Sequence, residues 1–85
     1  MHLPEIEKRL ERVLSKAKTW LPDGQVDEML SLVKAGEPGV ALENFCTQLQ
    51  EYDVAVPRDV AVELRTLASA MEMRASPWIE RAADA

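Results

Sequence analysis

The chain has very few of the side chains on which metal sites and covalent catalysis depend. It contains one cysteine and one histidine among its 85 residues. His2 stands next to the chain end, where residues are usually frayed, and Cys46 falls on the apolar side of a predicted helix. Zinc sites use about four ligands, and a cysteine or serine nucleophile needs a positioned base. We therefore predict no metal, no cofactor and no catalytic residue.

A secretion signal and a membrane span are also missing from the pattern. The first five residues lack a basic start followed by an apolar run. No stretch approaches the roughly 20 apolar residues that a spanning helix requires. The single cysteine cannot form an internal disulfide, which favours a reducing compartment. We expect the protein to work in the cytoplasm, away from membranes.

Aromatic residues are scarce, at 5% of the chain, whereas 47% of the residues are hydrophobic. This composition favours a packed fold with a mostly aliphatic core over a disordered chain. A chain of 9.5 kDa buries roughly 60 to 65% of its unfolded surface, which is enough for one core. We predict a single helical domain over residues 1–85, and no segment shows the sustained alternation of a strand.

Five prolines divide the chain into segments with helical periodicity. Proline suits the first turn of a helix, so each is interpreted as a helix opener. From Pro4, apolar residues recur at steps of three and four and predict a first helix to about Thr19 or Trp20. The prolines are Pro4, Pro22, Pro38, Pro57 and Pro77.

Three further helices follow from the same pattern. Asp23 is expected to cap the second, which ends at Ala35-Gly36 with Gly36 left-handed. The third runs from Pro38 to about Tyr52, and Pro57 opens the fourth. Trp78-Ile79 is expected to fold back as a short final turn. The predicted fold class is all-α, a compact bundle of four helices with a short C-terminal helical turn. An alternative is a pair of stacked repeats over residues 5–36 and 39–72.

Negative charge is concentrated in the middle of the chain. Residues 1–22 hold five basic and three acidic side chains, a balance of +2. Residues 23–63 hold nine acidic side chains against Lys34 and Arg58, a balance of −7. Such a field repels nucleic acid and anionic lipid and attracts a basic protein. We therefore predict a protein partner, no nucleic acid and no membrane contact.

The predicted third helix displays this charge most clearly, because its polar side carries carboxylates and no base. Tyr52 is the best single candidate for a contact anchor, since tyrosine is enriched at binding hot spots. Trp20 and Trp78 fit either a core position at a helix end or an exposed anchor. The candidate partner-binding residues are Glu37, Glu43, Glu51, Tyr52, Asp53 and Asp59.

Residues 32–43, Leu-Val-Lys-Ala-Gly-Glu-Pro-Gly-Val-Ala-Leu-Glu, followed by Leu49 and by Glu51-Tyr52-Asp53, resemble the MafI family of bacterial immunity proteins. The similarity is strongest from about Val26 to Val56. The resemblance implies a small antitoxin that binds the cognate domain of a secreted polymorphic toxin and blocks it, without enzyme activity. It fixes neither the toxin's activity nor the contact residues, so the candidates above stand on charge and position.

Two function classes remain open from the sequence. The first is an immunity protein that neutralises a basic, nuclease-type toxin domain through the acidic central region. The second is a non-enzymatic helical adaptor or regulatory subunit that docks its remaining apolar surface, with Trp20 and Trp78 as candidate anchors, on a larger protein or on a second copy of itself. The two differ in salt dependence, because only the first relies on charge. The oligomeric state is left open.

Overall fold

Four of the five prolines lie at helix starts in the computed structural model, which describes all 85 residues. Pro4 lies in the first turn of α1, Pro38 and Pro77 are the first residues of α3 and α5, and Pro57 is the N-cap of α4. The helices are α1 (Leu3–Lys16), α2 (Gln25–Lys34), α3 (Pro38–Glu51), α4 (Arg58–Ala70) and α5 (Pro77–Asp84). There is no strand, so the all-α prediction is confirmed.

The first helix follows its prediction closely. Its α-helical part ends at Lys16, and a 3-10 turn over Ala17–Thr19 continues it to the predicted end. Ile6, Leu10 and Leu14 are buried along one side, as the apolar spacing indicated. This helix packs against α2, α3 and α4. Stacked repeats would contact only their neighbours, so these contacts favour the compact arrangement over the repeat alternative.

The start of α2 corrects the prediction for Asp23. The N-cap is Gly24, with φ 88°, and no side chain caps the helix. The chain turns through Pro22, whose carbonyl accepts a hydrogen bond from the N–H of Gln25 at 3.3 Å. Because Gly24 adopts the left-handed conformation easily, the entry into α2 needs no carboxylate cap.

Three helices end in the same hydrogen-bonded turn. After α2, the N–H of Glu37 donates to the carbonyl of Leu32 (2.9 Å) and that of Gly36 to Val33 (3.0 Å). This is the Schellman arrangement, which satisfies carbonyls at a helix end. The left-handed position is Gly36, as predicted, with φ 82°. The same bonds close α3 and α4, where the left-handed residues are Asp53 (φ 52°) and Glu72 (φ 57°).

The C-terminal segment differs from the predicted short turn. It forms the eight-residue helix α5, which packs along α4 and buries Ile79 and Ala83. Arg58 Nε donates to the carbonyl of Ala83 at 3.1 Å. Arg65 on α4 donates to Asp84 at 2.8 Å. Ile79 and Ala83 are four residues apart and so bury the same side of α5. Together with the two arginine contacts near the C-terminus, they stabilise a helix of more than one turn.

One core holds the helices together. It comprises 21 buried hydrophobic residues and no buried polar or charged residue. Phe45, Leu10 and Ile79 are fully enclosed. The molecule exposes 5084 Å², close to the roughly 5000 Å² expected of a folded monomer of this mass. None of the helices has the length and apolarity that crossing a bilayer would require.

Candidate functional site

The six predicted partner-binding residues are all exposed, but they do not form one patch. Glu37 precedes α3, whereas Asp53 follows it. A helix of 14 residues is about 21 Å long, so these two carboxylates lie at opposite ends. Asp59 belongs to the first turn of α4. The structure therefore divides the candidates into a set along α3 and one residue apart from it.

The outer side of α3 carries carboxylates that form no salt bridge. Glu43, Thr47 and Glu51 are exposed and four residues apart, which places them on one stripe. Glu43 and Glu51 lie about 12 Å apart along the axis. The helix contains no lysine or arginine, and neither glutamate forms a salt bridge. Asp53, just beyond the helix, is likewise exposed and unpaired. We call Glu43, Thr47, Glu51 and Asp53 the α3 stripe.

Another part of the acidic central region is neutralised by α1. Arg9 donates from both Nε and Nη2 to the carboxylate of Glu63 on α4, with Nε to Oε2 at 2.7 Å. The hydrogen bonds from Arg9 lower the pKa of Glu63, and the charges of Arg12 and Lys16 act in the same direction. Asp59 lines the same cleft between α1 and α4. Asp59 thus lies among both basic and acidic side chains and adds little to a negative surface.

Tyr52 is placed where an anchor residue would be useful. It is the C-cap of α3, follows Glu51 directly and is 48% exposed. A tyrosine ring offers a rigid apolar surface with a polar end, which suits a contact residue.

Both tryptophans pack against the core. Trp20 and Trp78 are partly buried, and neither is among the large exposed hydrophobic residues. Of the two roles that the sequence left open, the structure favours the core position at a helix end. The indole N–H of Trp78 is enclosed without an acceptor, which costs about 1–3 kcal/mol.

Cys46 is buried and unreactive. Burial raises the pKa of its thiol to about 11, and a hydrogen bond with Ser76 opposes this only in part. The thiolate is the nucleophilic form, so the neutral thiol acts as a small apolar core residue. No group of three histidine, cysteine or acidic side chains is positioned to hold a metal ion.

A groove between α2 and α3 was missed by the sequence reasoning. We call it the α2–α3 groove; its volume is about 480 Å³. The side chains that line it include Glu28, Met29 and Leu32 from α2 and Asn44 and Gln48 from α3. Oε1 of Gln48 is enclosed and accepts no hydrogen bond, a loss of about 1–3 kcal/mol.

A sequence signal for this groove did exist. Gln48 follows Ala41 and Phe45 at steps of four and three, so it continues a stripe of otherwise apolar residues. A polar side chain at such a position is expected to find a hydrogen-bond partner, and this one has none.

Comparison with known proteins adds no relative. No family model, no curated protein and no solved structure matches this chain. The site therefore rests on its own geometry: a stripe of unpaired carboxylates on α3, an exposed tyrosine at its end and a groove beside it.

Proposed function

We propose that this chain is a bacterial immunity protein that binds and neutralises the cognate domain of a secreted polymorphic toxin. The partner domain is basic, as in a nuclease-type toxin, and the immunity protein meets it in the cytoplasm of the producing cell. It acts by occupying a surface of the toxin, so it needs no catalytic residue, metal or cofactor.

The α3 stripe is the observation that carries this proposal. Its carboxylates are exposed and unpaired, on a helix without a single basic residue. A negative surface of this kind attracts a positively charged protein and fixes its orientation. The resemblance of residues 32–43 to MafI proteins supports the same function, and these residues build the corner between α2 and α3 beside the stripe.

The adaptor alternative has less support. Its two candidate anchors, Trp20 and Trp78, both pack against the core. A salt-insensitive complex, or a stable dimer of this chain, would favour it again.

The test uses the reading frame immediately upstream of this protein's gene. Its variable C-terminal domain is expressed as the candidate toxin, and binding is measured by calorimetry at low and high salt. We expect tight binding that weakens with salt. Reversing Glu43, Glu51 and Asp53 to lysine is expected to weaken binding at least 100-fold, because three attractive contacts become repulsive.

A matched control keeps the net charge equal. Glu7, Glu11 and Asp23 make no salt bridge and lie outside α3, so their reversal to lysine changes the total charge by the same amount. Equal losses in the two triple variants would refute a localised acidic surface. Absence of binding to the upstream domain would refute the proposed function.

A further inference from the structure

The α2–α3 groove combines three features that no other part of the surface brings together. Its lining is partly apolar, through Leu32 and the exposed Ala35. It contains Glu28, an exposed carboxylate that forms no salt bridge. It also contains Gln48, whose Oε1 lacks a donor. A ligand that fits all three must bring an apolar stem, a positive charge and several N–H donors.

An arginine side chain has this chemistry. Its methylene stem packs on apolar surface while the guanidinium reaches polar groups. The guanidinium has five donors in a planar fork and no acceptor. It can therefore donate to a carboxylate and an amide oxygen at once, which a lysine ammonium does with less defined geometry.

We propose that the α2–α3 groove holds an arginine side chain of the protein partner. The stem lies against Leu32 and Ala35, and the guanidinium donates to Glu28 and to Oε1 of Gln48. The Gln48 amide turns towards the groove on binding and so gains the hydrogen bond that it lacks in the free protein. This inference deepens the proposed function and rests on it.

The position of the groove fits a partner that also covers α3. Gln48 lies one residue after Thr47, and Glu51 follows it by one helical turn. Tyr52 comes directly after Glu51 and is exposed. An arginine in the groove thus lies near Glu51 and Asp53 at the C-terminal end of the α3 stripe. One basic segment of the partner can therefore contact both the groove and the stripe.

The groove is tested first with a small probe. Nα-acetyl-arginine N-methylamide is titrated into the isotope-labelled protein and followed by NMR, beside its neutral citrulline analogue. We expect saturable shifts of the Gln48 side-chain amide, Ser31 and the Leu32 methyl groups, with a dissociation constant in the millimolar range. The citrulline analogue is expected to bind at least fivefold more weakly. Equal binding of the two, or shifts spread evenly over the exposed carboxylates, would overturn the inference.

A matched pair of variants separates recognition from folding. Gln48→Met keeps the length of the side chain and removes the enclosed acceptor, so it is expected to fold with an unchanged or higher urea midpoint. It is also expected to weaken binding of the arginine probe at least threefold. Gln50→Met, at an exposed position outside the groove lining, is expected to leave the affinity unchanged. Equal affinities of Gln48→Met and the unaltered protein for the probe would contradict the proposal.

Failure of this inference can be told apart from failure of the proposed function. If the upstream domain binds but Gln48→Met has no effect on that complex, the groove proposal is wrong and the immunity function stands. If the arginine probe binds the groove but the upstream domain does not bind, the groove chemistry is supported and the partner assignment is wrong.

Discussion

Two residues without glycine's freedom hold left-handed conformations at helix ends. Asp53 and Glu72 both have positive φ in the turns that close α3 and α4, whereas α2 uses Gly36 at the equivalent position. A left-handed residue with a Cβ costs roughly 1–2 kcal/mol, less for aspartate than for most others. The hydrogen bonds of the two turns offset this strain.

Glycine at the left-handed position of α4 is expected to stabilise the protein. Glu72 is exposed and forms no salt bridge, so Glu72→Gly removes strain and no contact. After subtraction of the added entropy of the unfolded chain, we expect a gain of about 0.5–1 kcal/mol in urea unfolding. Gly36→Ala should lose about 1 kcal/mol for the converse reason. A loss of stability in Glu72→Gly would show that the turn is not strained.

Burial of Cys46 makes stability depend on pH in the alkaline range. Its folded pKa of about 11 lies above the value of 9.0 for a free thiol, so the folded state keeps its proton longer. The folded state is stabilised by the buried neutral thiol, and this contribution is complete below pH 9. It is lost as the pH rises towards 11, because the thiol of the unfolded chain ionises first. We expect a difference of about 2–3 kcal/mol across this range.

Comparison with Cys46→Ala isolates this effect, because every other titratable group is common to the two proteins. The free energy of unfolding is measured from pH 8 to 11, and only the unaltered protein should show the additional decline. Parallel curves for the two proteins would contradict a buried neutral thiol.

At the scale of elements, the sequence predicted the helices better than their ends. Apolar spacing and proline positions located α1, α3 and α4, because both signals are local. The predicted cap of α2 was wrong because the N-cap is Gly24 and no side chain caps the helix. The backbone angle φ of a residue does not follow from its identity alone. The length of α5 was underestimated, because its stability comes from packing on α4 and from Arg58 and Arg65, all distant in sequence.

The site was predictable only in part for a similar reason. The exposure of Glu43 and Glu51 follows from their place opposite the apolar side of α3. Pairing of charge between helices does not follow from spacing along the chain. Glu63 meets Arg9 from 54 positions away, so the simple balance of the central region overstated its negative surface.

The Arg9–Glu63 pair is expected to link α1 to α4 in a pH-dependent way. The pKa of Glu63 is lowered in the folded protein, so its stabilisation is present above the free value of 4.5 and is lost as the pH falls through the folded pKa. Since both side chains are partly exposed, solvent limits the contribution to about 1 kcal/mol or less.

Glu63→Gln tests this link by urea unfolding between pH 3 and 7. The variant should be less stable at pH 7, and the difference from the unaltered protein should disappear in acid. Glu7→Gln, on α1 but without a salt bridge, serves as the control and should change little. A constant difference at all pH values would argue against charge as its cause.

At the scale of the whole molecule, acidic and basic side chains lie on different parts of the surface. The α3 stripe itself holds only acidic charges, with Arg74 as the one base that lines a cleft beside Glu43. The cleft between α1 and α4 instead holds Arg9, Arg12 and Lys16 beside two carboxylates. The Cα atoms of the molecule span 30 × 29 × 16 Å, which is a few Debye lengths at physiological salt. A basic partner therefore experiences attraction on one side and a weaker field on the other.

This arrangement predicts the effect of charge far from the binding surface. Neutralising Arg12 and Lys16 to glutamine changes the net charge from −5 to −7 without touching α3. We expect the association rate with a basic partner to rise several-fold at low salt and the dissociation rate to stay the same. Stopped-flow measurements at two ionic strengths test this, and an altered dissociation rate would mean that these residues contact the partner directly.

The wholly apolar interior has a consequence for how the protein can change over generations. None of the 22 buried residues is polar or charged, and the outward residues of the α3 stripe form no hydrogen bond with the rest of the fold through their side chains. For the α3 stripe, folding and recognition are thus encoded by separate sets of positions. Mutations that change partner specificity can accumulate on the α3 stripe without changing the free energy of unfolding.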